Sequence, residues 1–269
     1  MNEKTIRLAL IGKDVSKSTS PQIHTFILNR FGYTCQYESV SVAPDGFDTQ
    51  ICRLLGDFDG FNVTIPYKRD IFEYLDEIVG DAFDFGAVNT VVTATRKGYN
   101  TDGVGFLQML SLAGVSVKDK KVLILGAGGS GRSSAYSLKK AGAIVSMYRR
   151  NQAELEETCR QLGLRACPNA EEGGYDIVIN CTGVGMHDTE GVSPVTEKAF
   201  LGASVAVDLI YEPKKSAFLQ LAEKQGLQTL NGAAMLFLQG YFADCLFLGL
   251  TPSESEANEL YKEYLKVYK

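Results

Sequence analysis

Residues 121–142 constrain the fold of this chain more tightly than any other stretch. The short apolar run KVLIL leads straight into Gly126, Gly128 and Gly131, and the helical run RSSAYSLKKAG follows at once. Glycines at this spacing, set between a strand and a helix, permit a tight turn and let backbone amides approach a pyrophosphate. The helix N-terminus adds a partial positive charge. The same glycines also suit an ordinary strand-to-helix connection, but the flanking pattern favours a dinucleotide turn. Downstream, YDIVINCTG and ASVAVDLIY are further unbroken apolar runs, as expected of parallel strands covered on both faces.

The end of the following strand bears on the cofactor. An NAD site commonly places a carboxylate there to bond the ribose hydroxyls. Here Arg149 and Arg150 occupy that place. A carboxylate repels a 2′-phosphate, whereas a guanidinium grips it through paired hydrogen bonds. NADP is therefore expected, although one arginine of the two can serve only to solubilise the strand end.

The first hundred residues have a different character. IRLALIG reads as a strand ending at Gly12, and Pro21 opens a helix running to about Phe31. CQYESVSV and DGFNVTI read as further strands, the latter stopped by Pro66. Helical character around residues 70–75 and weak strands in VNTVVTA complete an α/β unit. TDGVGFLQMLSLAG reads as a connecting helix closed by glycine, and the chain from Ala233 onward as mostly helical.

Bulk properties exclude several classes. A formal net charge of -5 gives no support to binding nucleic acid or an anionic membrane. No apolar run is long enough to cross a bilayer. The six cysteines form no CxxC pair and no signal peptide is evident, so reduced thiols in a cytoplasm are expected. The only histidines, His24 and His187, lie far apart, so no histidine-rich metal site is expected.

SKSTSPQIH, FNVTIPYK, AVNTV, NTDGVGF, the glycine turn, INCTGVGM and NGAAMLFLQG occur in an order and spacing that resemble the shikimate dehydrogenase family, which includes shikimate and quinate dehydrogenases. The resemblance covers nearly the whole chain, and NVTxPxK and NTDGxG are its most specific parts. It implies an α/β protein: a Rossmann-type NADP-binding domain at 106–235, plus an α/β substrate-binding domain at 1–105 joined by C-terminal helices from 236, with a cleft between the two. It implies interconversion of 3-dehydroshikimate and shikimate with NADPH, in the route to chorismate and aromatic amino acids, by a monomer or homodimer.

Carried onto this sequence, the resemblance makes Lys68 and Asp102 the catalytic pair. Ser18 and Ser20 would bind the substrate carboxylate, and Thr64, Asn89, Tyr211 and Gln239 the rest of the substrate. Cofactor contacts would come from Gly126, Ala127, Gly128, Gly129, Ser130 and Gly131, and from Arg149, Arg150, Asn151, Thr182, Leu209 and Gly232; no metal is implied. The residue types suit the chemistry. Reducing a ketone needs a hydride at carbon and a proton at oxygen, and an ordinary lysine is protonated at neutral pH. A carboxylate such as Asp102 can hold the ammonium and accept from a substrate hydroxyl. Hydroxyls at i and i+2 before a helix suit a carboxylate, and carboxamides at 89 and 239 offer both donor and acceptor to a polyol. Read singly, each has a plainer role. The serines suit helix caps, Lys68 a solvated turn, Asp102 a cap, Asn89 a turn, Gln239 a helix surface and Tyr211 a core edge.

The chain departs from the usual family pattern in places. Asp14, Val15, Ser16 and Lys17 replace Pro-Ile-x-His, and Asn231, Gly232, Ala233 and Ala234 replace Asp-Gly-x-Gly. Gly183 and Ser216 stand where Ser or Pro, and Thr, are frequent, and Arg149, Arg150 and Asn151 stand for Asn-Arg-Thr. None removes a group assigned to catalysis or substrate. The alternatives are a quinate or quinate/shikimate dehydrogenase using NAD(P), and a non-catalytic nucleotide-binding regulator. The basic patch or extra DNA-binding segment expected of such a regulator is missing.

Overall fold

The structure is a computed structural model and describes residues 4–268. The chain divides into two compact units, one running up to Gly105 and resuming at Phe237, the other Phe106–Leu236.

In the first unit β1 (Lys4–Gly12), β2 (Tyr33–Ser41), β3 (Gly60–Val63), β4 (Glu77–Ile78), β5 (Thr90–Val92) and β6 (Lys97–Tyr99) form one sheet in the order β2-β1-β3-β5-β6-β4. β1 pairs in parallel with β2 and β3, and β5 runs antiparallel to β3 and β6. Ile6, Leu8, Ala9, Leu10 and Ile11 of β1 are all buried, so this central strand is covered on both faces. Helices α1 (Ser20–Arg30), α2 (Phe47–Asp57) and α3 (Asp81–Phe85) belong to this unit, and α4 (Asp102–Leu112) begins in it. α2 buries Phe47, Ile51 and Leu54, a single stripe at helical spacing, against Ala9, Phe61 and Val63 of the core.

β3 stops two residues earlier than the sequence predicts. Thr64 and Ile65 turn out of the ladder, and Ile65 is left 71% exposed, just before a cis bond to Pro66. Thr64 keeps one tie to the sheet, its N–H donating to the Ile11 carbonyl at 2.9 Å.

The second unit holds β7 (Lys121–Leu125), β8 (Ile144–Tyr148), β9 (Arg165–Ala166), β10 (Ile177–Asn180), β11 (Val205–Asp208) and β12 (Gln228–Asn231). They form a wholly parallel sheet in the order β12-β11-β10-β7-β8-β9. α5 (Gly129–Lys140), α6 (Gln152–Leu162) and α7 (Ala217–Lys224) connect these strands. α5 starts within the glycine turn, three residues before the helical run that the sequence marks out. Leu123, Val178, Ala206, Phe218 and Leu219 lie in the core of this unit. Because β7 lies between β10 and β8, successive connections leave it in opposite directions, and the sheet opens at its carboxyl edge there.

The chain leaves the second unit within α8 (Ala233–Leu248) and ends with α9 (Glu254–Val267). Among the described residues no helix is long and apolar enough to cross a membrane, and all six cysteines are free thiols.

Candidate active site

Strand directions in the first unit bring distant motifs to one edge of its sheet. β1, β3 and β6 end there, and β5, running the other way, begins there. The segments carrying Ser18, Thr64, Lys68 and Asp102 leave the sheet at that edge, and the one carrying Asn89 enters it there. Two backbone bonds tighten the grouping: Val88 N–H donates to the Lys68 carbonyl at 2.8 Å, and Val63 N–H to the Asn89 carbonyl at 2.9 Å.

Tyr67 fixes which way the turn faces. Its ring is buried and stacked on Phe47 at 4.3 Å, and its hydroxyl donates to the Val42 carbonyl at 2.7 Å. With Tyr67 anchored in the core, Lys68 reaches Asp102, its Nζ 2.5 Å from Oδ2. The two side chains keep 12% and 8% exposure, so the pair is largely shielded from water yet open to a ligand. Removing either partner of so shielded a pair would leave the other charge uncompensated.

The other Asp102 oxygen, Oδ1, accepts from Asn89 Nδ2 at 2.8 Å. Asn89 is oriented without ambiguity, because its Oδ1 accepts the Thr101 backbone N–H at 2.9 Å and the Thr90 hydroxyl at 2.8 Å. Its Nδ2 also donates to Thr101 Oγ1 at 3.1 Å and Gln239 Oε1 at 3.2 Å. Gln239 can come this close because α4 carries Gly105 at the crossing: a Cβ there would lie 2.6 Å from the Gln239 backbone nitrogen. Asn89 is thus neither a simple turn residue nor an isolated polar group.

At the start of α1, Ser18 donates to Ser20 Oγ at 3.0 Å and accepts the Ser20 N–H at 3.2 Å. Ser18 therefore performs part of a capping role, while the N-cap residue itself, Thr19, makes no side-chain cap bond. Thr64 lies beside Gly12, half-buried.

In the second unit the segments carrying Gly126–Gly131, Arg149, Thr182, Leu209 and Gly232 follow the carboxyl ends of five neighbouring strands. A Cβ on Gly131 would sit 2.3 Å from the Gly126 carbonyl oxygen, so the turn closes only with glycine there. A Cβ on Gly128, by contrast, would meet nothing within 4 Å, and Gly128 caps α5 without a side-chain bond. Open space over first-turn amides fits a dinucleotide pyrophosphate. Leu209 and Gly232 touch through their backbones, a Gly232 Cβ falling 2.0 Å from the Leu209 carbonyl oxygen. Arg149 pairs with Glu154, Arg150 is exposed, and Asn151 caps α6 by accepting the Glu154 N–H. Tyr211 is half-buried in the segment that follows β11.

The family profile described as "Shikimate dehydrogenase substrate binding domain" matches residues 10–91. A shikimate dehydrogenase (NADP(+)) from Caldicellulosiruptor saccharolyticus is 39% identical, the match covering 96% of this chain and 98% of that protein. The relative from Methanocaldococcus jannaschii, of the same name, is 36% identical over 94% of this chain and 95% of its own. The chain belongs to the shikimate dehydrogenase family. Among solved structures, the Thermus thermophilus shikimate 5-dehydrogenase in complex with NADP(H) and shikimate superposes with a TM-score of 0.88 at 34% identity, covering 96% of this chain and 99% of that one. The fold is accordingly a Rossmann-type unit joined to a family-typical α/β unit.

Each unit also contains polar residues that the motifs did not single out. In the first, Asn62, Thr90 and Thr101 are buried and bonded to Asn89, each inside a stretch that carries the family resemblance. In the second, Asp208 is fully buried: Oδ2 accepts from Ser216 at 2.5 Å, and Oδ1 from Ile210 N–H and Asn180 Nδ2, both at 3.0 Å. Burial raises its pKa and the three donors pull it back. Asn180 in turn accepts the Thr182 N–H and hydroxyl, at 3.0 and 2.7 Å. One carboxylate thereby organises the segments that carry Thr182, Leu209 and Tyr211. The only sequence signal was its position, an acid ending an otherwise apolar strand.

Proposed function

We propose that this chain is an NADP-dependent dehydrogenase that reversibly reduces 3-dehydroshikimate to shikimate, with Lys68 as general acid and base. The observation that carries the reading is the shielded Lys68–Asp102 pair, oriented by Asn89 at the sheet edge where the family motifs meet. The substrate binds to the first unit and the dinucleotide to the second.

Bound NADPH supplies a hydride for the carbonyl carbon. The protein's own work is to place the ketone and manage the proton. Lys68 Nζ holds that proton and gives it to the carbonyl oxygen as the hydride arrives, leaving a neutral hydroxyl. In the oxidation direction the neutral amine takes it back. Asp102 keeps the ammonium in place and bonds a neighbouring substrate hydroxyl. Ser18 and Ser20 turn their hydroxyls to the substrate carboxylate, supported by Thr64, while Asn89 and Gln239 meet ring hydroxyls. Tyr211 adds a further substrate contact, and the Gly232 backbone approaches the nicotinamide.

Residues 126–131 hold the pyrophosphate by backbone amides. Arg149, Arg150 and Asn151 hold the 2′-phosphate, with Thr182 and Leu209 as further contacts. Occupying the 2′-phosphate site requires Arg149 to exchange Glu154 for phosphate. The setting is the cytoplasmic route to chorismate and the aromatic amino acids.

Steady-state rates with shikimate and quinate, each with NADP and NAD, test this reading. The highest kcat/KM is expected for shikimate with NADP. A higher value for quinate with NAD would replace it with a quinate dehydrogenase.

A further inference from the structure

Tyr37 lies on β2, outside the motifs that carry the family resemblance. Register places Tyr37 opposite Leu8, and β1 separates it from Asn62 on β3 and, beyond that, Thr90 on β5. Its hydroxyl crosses β1 to donate to Asn62 Oδ1 at 2.9 Å. Asn62 Nδ2 then donates to the Asn89 carbonyl and to Thr90 Oγ1, both at 3.2 Å. Thr90 in turn donates to Asn89 Oδ1 at 2.8 Å, and Asn89 donates to Asp102.

The run Tyr37, Asn62, Thr90, Asn89, Asp102 is therefore a line of donors of one polarity ending on the carboxylate that holds Lys68. Bonds in such a line polarise one another, and a carboxamide inside it has only one satisfied orientation.

Tyr37 is itself held from behind. The His24 ring stacks on it with centroids 4.8 Å apart and planes within 18°. His24 Nδ1 lies 2.6 Å from Asp244 Oδ1, joining α1 to α8, and the two side chains are 1% and 0% exposed. Burial and the nearby Asp244 carboxylate push the Tyr37 pKa well above its ordinary value, so the phenol keeps the proton it donates.

We propose that Tyr37, braced by the His24–Asp244 pair, is a positioning residue: its hydroxyl sets the orientation of Asn62 and, through Thr90 and Asn89, aims Asp102 at Lys68. This rests on the catalytic reading of Lys68 and Asp102 given above. Tyr37 touches neither substrate nor cofactor and acts on turnover only through the carboxamides.

Tyr37→Phe deletes the hydroxyl and leaves the ring against His24. Removing one bond of the line is worth roughly a fivefold loss in kcat, with the Kd for NADPH, read by its fluorescence, unchanged. In an Asn62→Ala background the same substitution changes kcat less than about twofold, because the link it acts through is already gone. A second readout needs no turnover: the side-chain amide resonances of Asn62 and Asn89 shift in Tyr37→Phe. Wild-type kcat in Tyr37→Phe, a full fivefold loss on top of Asn62→Ala, or unmoved amide resonances would each overturn the inference. Wild-type protein inactive on 3-dehydroshikimate would instead overturn the functional reading, and the amide resonances would still decide whether Tyr37 orients the carboxamides.

Discussion

The two units build their candidate sites from different material. In the first, side chains do the work: Lys68, Asp102, Asn89 and Gln239 are fixed by bonds to one another, mostly out of water. In the second, the candidate pyrophosphate site is backbone, shaped by what glycine lacks, with arginines at a neighbouring strand end. Proton transfer needs a group held to a fraction of an ångström, which a buried polar network can supply. Holding a long polyanion needs many amides and a few mobile charges, which a turn and a helix end supply. Substitutions should therefore act on turnover in the first unit and on cofactor affinity in the second.

The largest effect is expected for Lys68→Ala. Loss of the proton donor should lower kcat by about a thousandfold, within the range typical of general acids, with shikimate affinity by calorimetry changed little. A comparable loss in affinity would mean that Lys68 chiefly binds. Next is Asp102→Asn, which keeps the shape and removes the charge opposite Lys68; kcat should fall on the order of a hundredfold. Full activity would reduce Asp102 to the first residue of α4.

In the second unit, Gly131→Ala forces a methyl to 2.3 Å from the Gly126 carbonyl. Crowding of this kind costs about 1–3 kcal/mol, which should weaken NADPH binding about tenfold and lower the melting temperature. Unaltered NADPH affinity would show that the turn does not carry the site. The smallest effect is expected for Arg150→Ala. Loss of an exposed cation should raise KM for NADPH about fivefold and leave kcat and KM for NADH alone. An equal change with NADH would remove Arg150 from the 2′-phosphate site.

The same contrast explains what the sequence disclosed. The glycine turn is local, so six consecutive residues between a strand and a helix announce it. Lys68 and Asp102 are 34 residues apart and were legible only through the motifs around them. Strand order and register, which no local pattern reveals, bring Asn62 opposite Thr90 and place Tyr37 within reach. His24 and Asp244 are 220 residues apart, and His24 alone looked like a solitary histidine. Gly105 closes the NTDGxG motif, but only the fold shows that its missing side chain is what admits Gln239. α2 buries Phe47, Ile51 and Leu54 at helical spacing but lies outside the expected elements, whereas β4 and β6 have two and three residues, too few for any periodicity to register.

A crystal structure of the ternary complex with shikimate and NADP tests the central claim most directly. Lys68 Nζ is expected within about 3 Å of the oxygen attached to the carbon that exchanges hydride, with Asp102 still bonded to Asn89. An Nζ turned away from that oxygen, beyond the reach of even one bridging water, would contradict that claim.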